Sequence, residues 1–215
     1  MHVFQGLCTA FAQAFPAGRG FSPAAAMASI AKRPASSALS LHDEDGIGPM
    51  RALESFANDE DAAPVDMLAA LFEARGWPCA ARAHEVTGEV RGSWANYQVK
   101  GIWRAEDCVL QILCLPEIRV PKDRLAAAYE LLGSINEQLW LGHFDIWSNG
   151  GVLLYRNATM LGDEGTLSLA QAQALVEIAV EECDRFYPAF QFVLWGGKTP
   201  ADALEAAMVD AAGEA

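Results

Sequence analysis

The sequence predicts an α+β domain in which about five antiparallel strands form a sheet with helices packed on it. Segments with an apolar residue at every second position, typical of half-buried strands, arrive in pairs joined by short polar turns. Segments with apolar residues three and four apart, typical of amphipathic helices, lie before, between and after these pairs. Because the strands occur in hairpins and do not alternate singly with helices, an antiparallel sheet is favoured.

Each predicted element rests on its own periodicity and on the residues that bound it. The segments at 95–103 and 108–115 are the clearest strands, since the first alternates strictly and the second is almost entirely apolar. The segment at 79–90 alternates poorly and is predicted as one strand. In chain order, the predicted elements are a helix at 64–75, strands at 79–90, 95–103 and 108–115, a helix at 121–139, strands at 141–147 and 152–158, and helices at 168–187 and 200–212.

Turn and capping residues support these boundaries. Gly76 is suited to end the first helix, and Asn149-Gly150 is a strong hairpin signal, although Gly151 leaves the length of that turn open. Ser168 with Gln171 matches a capping box at the start of the third helix. Pro188 is expected to stop or kink that helix, because proline cannot donate the helical hydrogen bond. Thr199 and Pro200 are suited to begin the last helix.

Composition indicates one domain, at residues 64–212, preceded by a different kind of segment. Apolar residues make up 52% of the 215 residues, which is enough for a substantial core. Residues 1–63 show weak periodicity and are predicted to be a disordered tail. Within them, residues 1–42 contain three basic residues and no acid, while residues 43–215 contain 12 basic and 28 acidic residues. Translation that begins at Met50 instead of Met1 is an alternative explanation of this tail.

The net charge of −13 argues against nucleic acids and anionic membranes as partners, since both select basic surfaces. It would suit a basic protein partner. The five cysteines form an odd set without a CxxC pair, so we expect reduced thiols and a cytoplasmic protein. No apolar run is long enough for a membrane-spanning helix.

Three segments resemble the YbjN family, which is described as a family of bacterial sensory transduction regulators. They are RLAAAYELLGSINEQL at 124–139, LGHFDIWSNGGVLLYRNATM at 141–160 and CDRFYPAFQFVLWGGKTPADALEAA at 183–207. The resemblance covers roughly residues 64–210. It implies a fold similar to that of the type III secretion chaperones, which are α+β, usually dimeric and protein-binding. Its motifs are patterns of glycine, aromatic and apolar positions, so it implies no catalytic residues.

A phosphate-binding loop is suggested by Gly196-Gly-Lys-Thr199, but the pattern does not fit. A P-loop requires glycine where Phe192 stands, and a strand where a helix is predicted. We interpret the glycines as the end of one helix and Thr199 as the cap of the next.

His143 and Asp145 lie two apart on a predicted strand and therefore share one face with Leu141 and Trp147. They could form an orienting pair for acid–base chemistry. No nearby serine, cysteine or second histidine completes a nucleophilic set. We therefore favour an interface strip, opposite the buried residue Phe144 and its neighbours on the other face.

Aromatic residues on polar strand faces are a second sign of an interface, because tryptophan is enriched in binding hot spots. Trp94 is predicted to lie with Asn96, Gln98 and Lys100 on the polar face of its strand, as Trp147 does on another. Whether these faces are exposed or covered by helices remains open at this stage.

Metal binding is not predicted. Cys79 with His84, and Cys108 with Cys114, lack the spacing and number of ligands that zinc sites require. We expect Cys108 and Cys114 to share a buried strand face.

The sequence therefore predicts a non-enzymatic regulator or chaperone-like module that binds a protein partner and forms a homodimer, without a cofactor, metal or catalytic residue. Two alternatives remain open. One is a sensor domain with a small-molecule pocket between sheet and helices. The other is a hydrolase that uses His143 or His84 with a carboxylate.

Overall fold

The structure, a computed structural model, describes residues 63–162 and 165–212. The predictions of a disordered tail over residues 1–63 and of a start at Met50 therefore fall, Ala63 apart, outside the described residues. The helices are α1 (Pro64–Ala74), α2 (Leu125–Asn136), α3 (Leu169–Leu194) and α4 (Pro200–Ala212). The strands are β1 (Cys79–Arg82), β2 (Glu85–Arg91), β3 (Asn96–Arg104), β4 (Val109–Leu115), β5 (His143–Trp147) and β6 (Val152–Met160).

The six strands form one antiparallel sheet in the order β1-β2-β3-β4-β6-β5, which confirms the predicted α+β class. The prediction of a single strand at 79–90 is wrong. The chain reverses at Ala83 and His84, so that Arg82 pairs with Glu85 and two strands are formed. The reversal explains the poor alternation, because each short strand starts its own inward and outward pattern.

One face of the sheet, here called the helix face, packs against α1 and α3. It carries Tyr97, Val99, Ile112, Cys114 and Phe144, all of which are buried. Close approach of α1 depends on glycine, since a Cβ atom on Gly101 would lie 2.4 Å from the Leu68 side chain and one on Gly88 would lie 2.6 Å from that of Phe72. Helices α2 and α4 contact α3 and each other.

Helix α3 continues through Pro188 to Leu194, so the predicted end near Tyr187 is wrong. Proline lacks the N–H that would bond to the carbonyl oxygen of Asp184, four residues earlier. The indole Nε1–H of Trp94 donates to that oxygen instead, at 3.0 Å. A side chain from another element therefore satisfies the carbonyl that proline leaves unpaired.

The carboxylate of the same aspartate holds the β2–β3 turn, and we call this set of bonds the Asp184 clamp. Asp184 accepts hydrogen bonds from the backbone N–H of Ser93, at 2.8 Å, from the Ser93 hydroxyl, at 2.9 Å, and from the Tyr97 hydroxyl. The Trp94 ring is stacked parallel to Tyr187. Trp94 therefore precedes β3 and fastens the turn to α3, so its predicted place on the polar face of a strand is wrong.

The remaining boundaries differ little from the predictions. A 3-10 turn at Lys122–Arg124 precedes α2, which ends at Asn136, earlier than predicted. The capping box of Ser168 and Gln171 is present at the start of α3. Cys108 lies in a left-handed turn with φ 50° before β4 and is only partly buried against the core, whereas Cys114 of the predicted pair is fully buried.

Candidate functional site

The most exposed apolar residues near a strand end lie at the corner of the sheet where β5 begins. Trp140 is 98% exposed, Leu141 52% and Met160 79%. Leu141 lies beside β6, because the Tyr155 hydroxyl donates to its carbonyl at 2.8 Å. Ala158 is also exposed and precedes Met160 by two positions on the same face of β6. We call these four residues, Trp140, Leu141, Ala158 and Met160, the corner patch.

A glycine lies beside the corner patch where the chain passes close to β6. Gly142 has φ +64°, and a Cβ atom there would lie 2.4 Å from the Tyr155 hydroxyl oxygen and 2.7 Å from the backbone oxygen of Arg156. Only glycine allows the chain to turn this tightly over Tyr155. Trp140 and Leu141 precede this turn and project from the end of β5 without joining the core.

Next to the corner patch, His143, Asp145 and Arg156 form a polar group that we call the His143 cluster. Arg156 Nε donates to His143 Nε2 at 2.8 Å, and Arg156 Nη2 lies 3.6 Å from Asp145 Oδ2. Burial, followed by the nearby Arg156 charge, lowers the pKa of His143 below its usual value. His143 is thus a neutral acceptor for an arginine, and that arginine lies between it and the carboxylate.

This arrangement bears on the two interpretations of the strip. His143, Asp145 and Trp147 share one face of β5, while Phe144 and Ile146 are buried on the other, as the alternation predicted. A general base would need its ring oriented by a carboxylate, yet the hydrogen-bond partner of the His143 ring is a cation. The geometry therefore argues against His143 and Asp145 as an orienting pair for acid–base chemistry.

The outer edge of β5 is closed to a further strand. The Asn136 side chain donates to the Phe144 carbonyl at 3.1 Å and accepts from the Phe144 N–H at 2.8 Å. Asp145 Oδ1 accepts from the Ile146 N–H at 2.8 Å. Side chains thus occupy three of the outward backbone groups that an added strand would use, the Phe144 N–H and C=O and the Ile146 N–H, which is one way in which proteins protect sheet edges. These bonds disfavour the addition of a further strand at this edge.

The other motifs have structural roles. Gly196 and Gly197 follow α3, and the Thr199 hydroxyl accepts from the Asp202 N–H at 3.2 Å and donates to Asp202 Oδ2 at 2.7 Å, as expected of a helix cap. Within residues 63–162 and 165–212, no three His, Cys, Asp or Glu side chains lie close enough to hold a metal ion. Buried Cys183 is hydrogen-bonded to Cys114, and burial raises its pKa, so this thiol stays protonated.

Sequence reasoning missed most of the corner patch. Leu141 was placed on the strip, but Trp140 and Met160 were not considered, because they lie just outside the predicted strands. The signal that could have revealed Trp140 is the position of two large apolar residues, Trp140 and Leu141, immediately before a glycine at a strand start; Met160 has no such signal.

The fold and this corner define the class: an α+β domain on an open antiparallel sheet with an exposed apolar corner beside a closed edge. The profile of the YbjN family, described as "Putative bacterial sensory transduction regulator", matches residues 64–192. This is more than half of the chain, and the chain therefore belongs to the YbjN family.

A solved structure is also similar to this chain. It is described as "Crystal structure of YbjN, a putative transcription regulator from E. coli", with 12% identity and a TM-score of 0.40 over 67% of this chain and 92% of that one. No protein with a curated description matches the sequence. Among the described helices, none is both long and apolar enough to cross a membrane.

Proposed function

We propose that this protein is a non-catalytic, cytoplasmic regulator that acts by binding another protein through the corner patch. The observation that carries the proposal is the 98% exposure of Trp140, next to Leu141 before β5, together with the exposure of Met160 at the end of the neighbouring strand β6. Clustered exposed apolar residues mark interaction sites, and tryptophan is the residue most enriched in binding hot spots. The description of the family as regulators supports the same interpretation.

Burial of the corner patch would contribute apolar energy to binding. Full burial of a tryptophan removes about 150–250 Å² from water, which corresponds to about 4–6 kcal/mol before the costs of association. Because Asn136 and Asp145 close the β5 edge, this energy must come from side-chain packing and not from an added strand. The complementary surface is an apolar pocket or groove on the partner.

The sign of the whole-protein charge does not determine the partner at this corner. The basic and acidic members of the His143 cluster, Arg156 and Asp145, already lie near each other. We therefore expect apolar contacts to dominate the affinity and this cluster to contribute at the rim.

The proposal is tested by comparing what the full-length protein captures from its host with what two variants capture. Trp140→Ser removes the central aromatic group, and Tyr129→Ser is the matched control, because Tyr129 is an exposed aromatic residue on α2 that lies outside the corner patch. Capture is quantified by mass spectrometry, and the far-UV circular dichroism melt of each variant verifies folding.

We expect partners retained by the unchanged protein and by Tyr129→Ser to be lost with Trp140→Ser. A hot-spot residue contributes at least about 2 kcal/mol, so affinity for a purified partner should fall about thirtyfold. Equal capture by Trp140→Ser and Tyr129→Ser would show that the corner patch is not the binding surface.

A further inference from the structure

The face of the sheet opposite the helix face, here called the second face, is buried at its centre. Leu113, Leu115 and Leu154, which we call the covered leucines, are 1%, 1% and 0% exposed. They alternate with Cys114 and Tyr155, which lie on the helix face, and they are separate from the continuous apolar core that includes α1 and α3. Residues on one face of a sheet lie beside each other and not above each other. Burial this complete therefore requires a further layer, about 10 Å from the sheet.

The exposure of the residues along β6 shows where this layer ends. On the second face of β6, Leu154 is fully buried, Arg156 is partly buried, and Ala158 and Met160 are exposed. The layer thus lies over the centre of the sheet and stops before the corner patch. Among the described helices, α1 and α3 contact β3, β4 and β6, and both pack on the helix face.

We propose that residues 50–61 of this chain form the layer over the covered leucines. The burial arises within a single copy of the chain, so the layer belongs to that chain. Outside the described residues, only the segment before Ala63 is long enough, since 163–164 and 213–215 are two and three residues long. The seven residue steps from Phe56 to Ala63 can span about 23 Å, which is comparable to the roughly 20 Å between layers on opposite faces of a sheet. This inference is independent of the corner patch.

The apolar side chains of residues 50–61 match the covered leucines. Met50, Leu53 and Phe56 recur at every third position, a spacing that would place them on one side of a helix. A helix of twelve residues is about 18 Å long, and the three strands β3, β4 and β6 are together about 10 Å wide. One amphipathic helix is therefore sufficient to cover the centre of the second face. The disorder expected for the start of the chain would not extend to this segment.

Charge also favours this segment as the occupant. Lys100 and Arg156 lie on either side of Leu113 in the register of the sheet, and Lys100 is only 7% exposed. Opposite charge stabilises a charged group at a buried position. The proposed segment contains Glu54 and the Asp-Glu-Asp run at 59–61, in contrast to the acid-free residues at the start of the chain. The acidic segment thus suits this face better than the residues that precede it.

The first experiment measures cleavage of the full-length protein by trypsin after Arg51, which lies inside the proposed segment. Leu53→Ser combined with Phe56→Ser should release the segment, so that cleavage after Arg51 becomes at least about tenfold faster than in the unchanged protein. Phe21→Ser is the matched control, because it removes an aromatic residue outside the segment, and cleavage after Arg19 is the internal reference. Equal rates of cleavage after Arg51 in all three proteins would overturn the proposal.

The second experiment measures the accessibility of the second face itself. Leu154→Cys and Ala158→Cys place thiols on the same face of β6, at a buried and at an exposed position. Reaction of each thiol with a maleimide is quantified by mass spectrometry of the peptide that contains it. We expect Leu154→Cys to react more slowly than Ala158→Cys. Addition of Leu53→Ser and Phe56→Ser should raise its rate at least about tenfold, toward that of Ala158→Cys.

Two results of the second experiment would refute the proposal. One is fast reaction of Leu154→Cys while residues 50–61 are unchanged, since the face would then be bare. The other is slow reaction that Leu53→Ser and Phe56→Ser leave unaltered, which would assign the layer to another part of the chain. Thermal melts verify folding of each variant. The trypsin experiment requires no substitution in the sheet and tests the proposal even where Leu154→Cys does not fold.

Discussion

The hydrogen bond from Trp94 to the carbonyl of Asp184 exists because proline stands at position 188, and this dependence can be measured. Trp94→Phe retains an aromatic ring that can stack on Tyr187 but removes the N–H donor. A buried hydrogen bond contributes about 1 kcal/mol net, and a carbonyl left unpaired adds about 1–3 kcal/mol. Because Trp94 is 43% exposed, water can reach this carbonyl. We therefore expect a loss of about 1 kcal/mol in the free energy of unfolding.

The same substitution should cost less when the helix has its own donor. In a Pro188→Ala background, the alanine N–H can bond to the carbonyl of Asp184 as in an ordinary helix. The loss caused by Trp94→Phe should then fall toward zero, which corresponds to a coupling of about 1 kcal/mol between the two positions. Pro188→Ala alone is measured to complete the double-mutant cycle.

The assay is urea unfolding of the four proteins, monitored by far-UV circular dichroism. A change of 1 kcal/mol corresponds to about 2–4 °C in Tm for a domain of this size, which gives a second readout. Trp77→Phe is the matched control, because Trp77 contacts Phe72 on α1 and is remote in sequence from the Asp184 clamp. This substitution should lower the free energy of unfolding equally in the two backgrounds. Equal losses for Trp94→Phe with and without Pro188 would refute the compensation.

Three further outcomes are expected. Gly151→Ala should lower the free energy of unfolding by several kcal/mol, because the new Cβ atom would lie 2.6 Å from the backbone oxygen of Val120. Gly76 has a similar φ but open space around it, so Gly76→Ala should lower the free energy of unfolding by only about 1–2 kcal/mol, as measured by urea unfolding. Asn136→Ala should lower the free energy of unfolding by about 1–3 kcal/mol, because it leaves the Phe144 N–H and C=O without their side-chain partner. The uncovered β5 edge should also cause concentration-dependent association in light scattering, and an unchanged monodisperse sample would contradict this. The pKa of His143 in the folded protein lies below 6.5, so the unfolded state binds more protons as the pH falls below that value, and the free energy of unfolding should drop there. The drop should be smaller in His143→Gln, as measured by unfolding at a series of pH values. An equal drop in both proteins would contradict the pKa assignment.

The periodicity of the sequence predicted strands and helices correctly wherever the local alternation matches the burial of the residues. Tyr97, Val99 and Trp103 lie at alternate positions of β3 and are all buried on one face, as predicted. The Ser168 capping box was recognised because all of its partners lie within four residues. Such features depend on contacts close in the chain, and the sequence shows those directly.

Two predictions proved wrong because they depended on distant partners. Pro188 looks like a helix end, and only the indole of Trp94, far away in the chain, allows α3 to continue. Trp94 looks like part of a strand, and only Asp184 draws it into the turn. The contact of Arg156 with both His143 and Asp145 likewise depends on distant pairing, of β5 with β6, and the predicted strip did not include Arg156.

The sequence by itself determined the α+β class, the antiparallel hairpins and membership of the YbjN family, because these follow from local periodicity, turn chemistry and family pattern. Only the tertiary structure decided that the described residues form a six-stranded sheet, that side chains of Asn136 and Asp145 bond to the outer edge of β5, and that Trp140 is exposed at a corner. The physical reason is that exposure and unpaired backbone groups are properties of what lies opposite a residue in space. Strand order and helix placement determine that neighbour, and no local pattern encodes it.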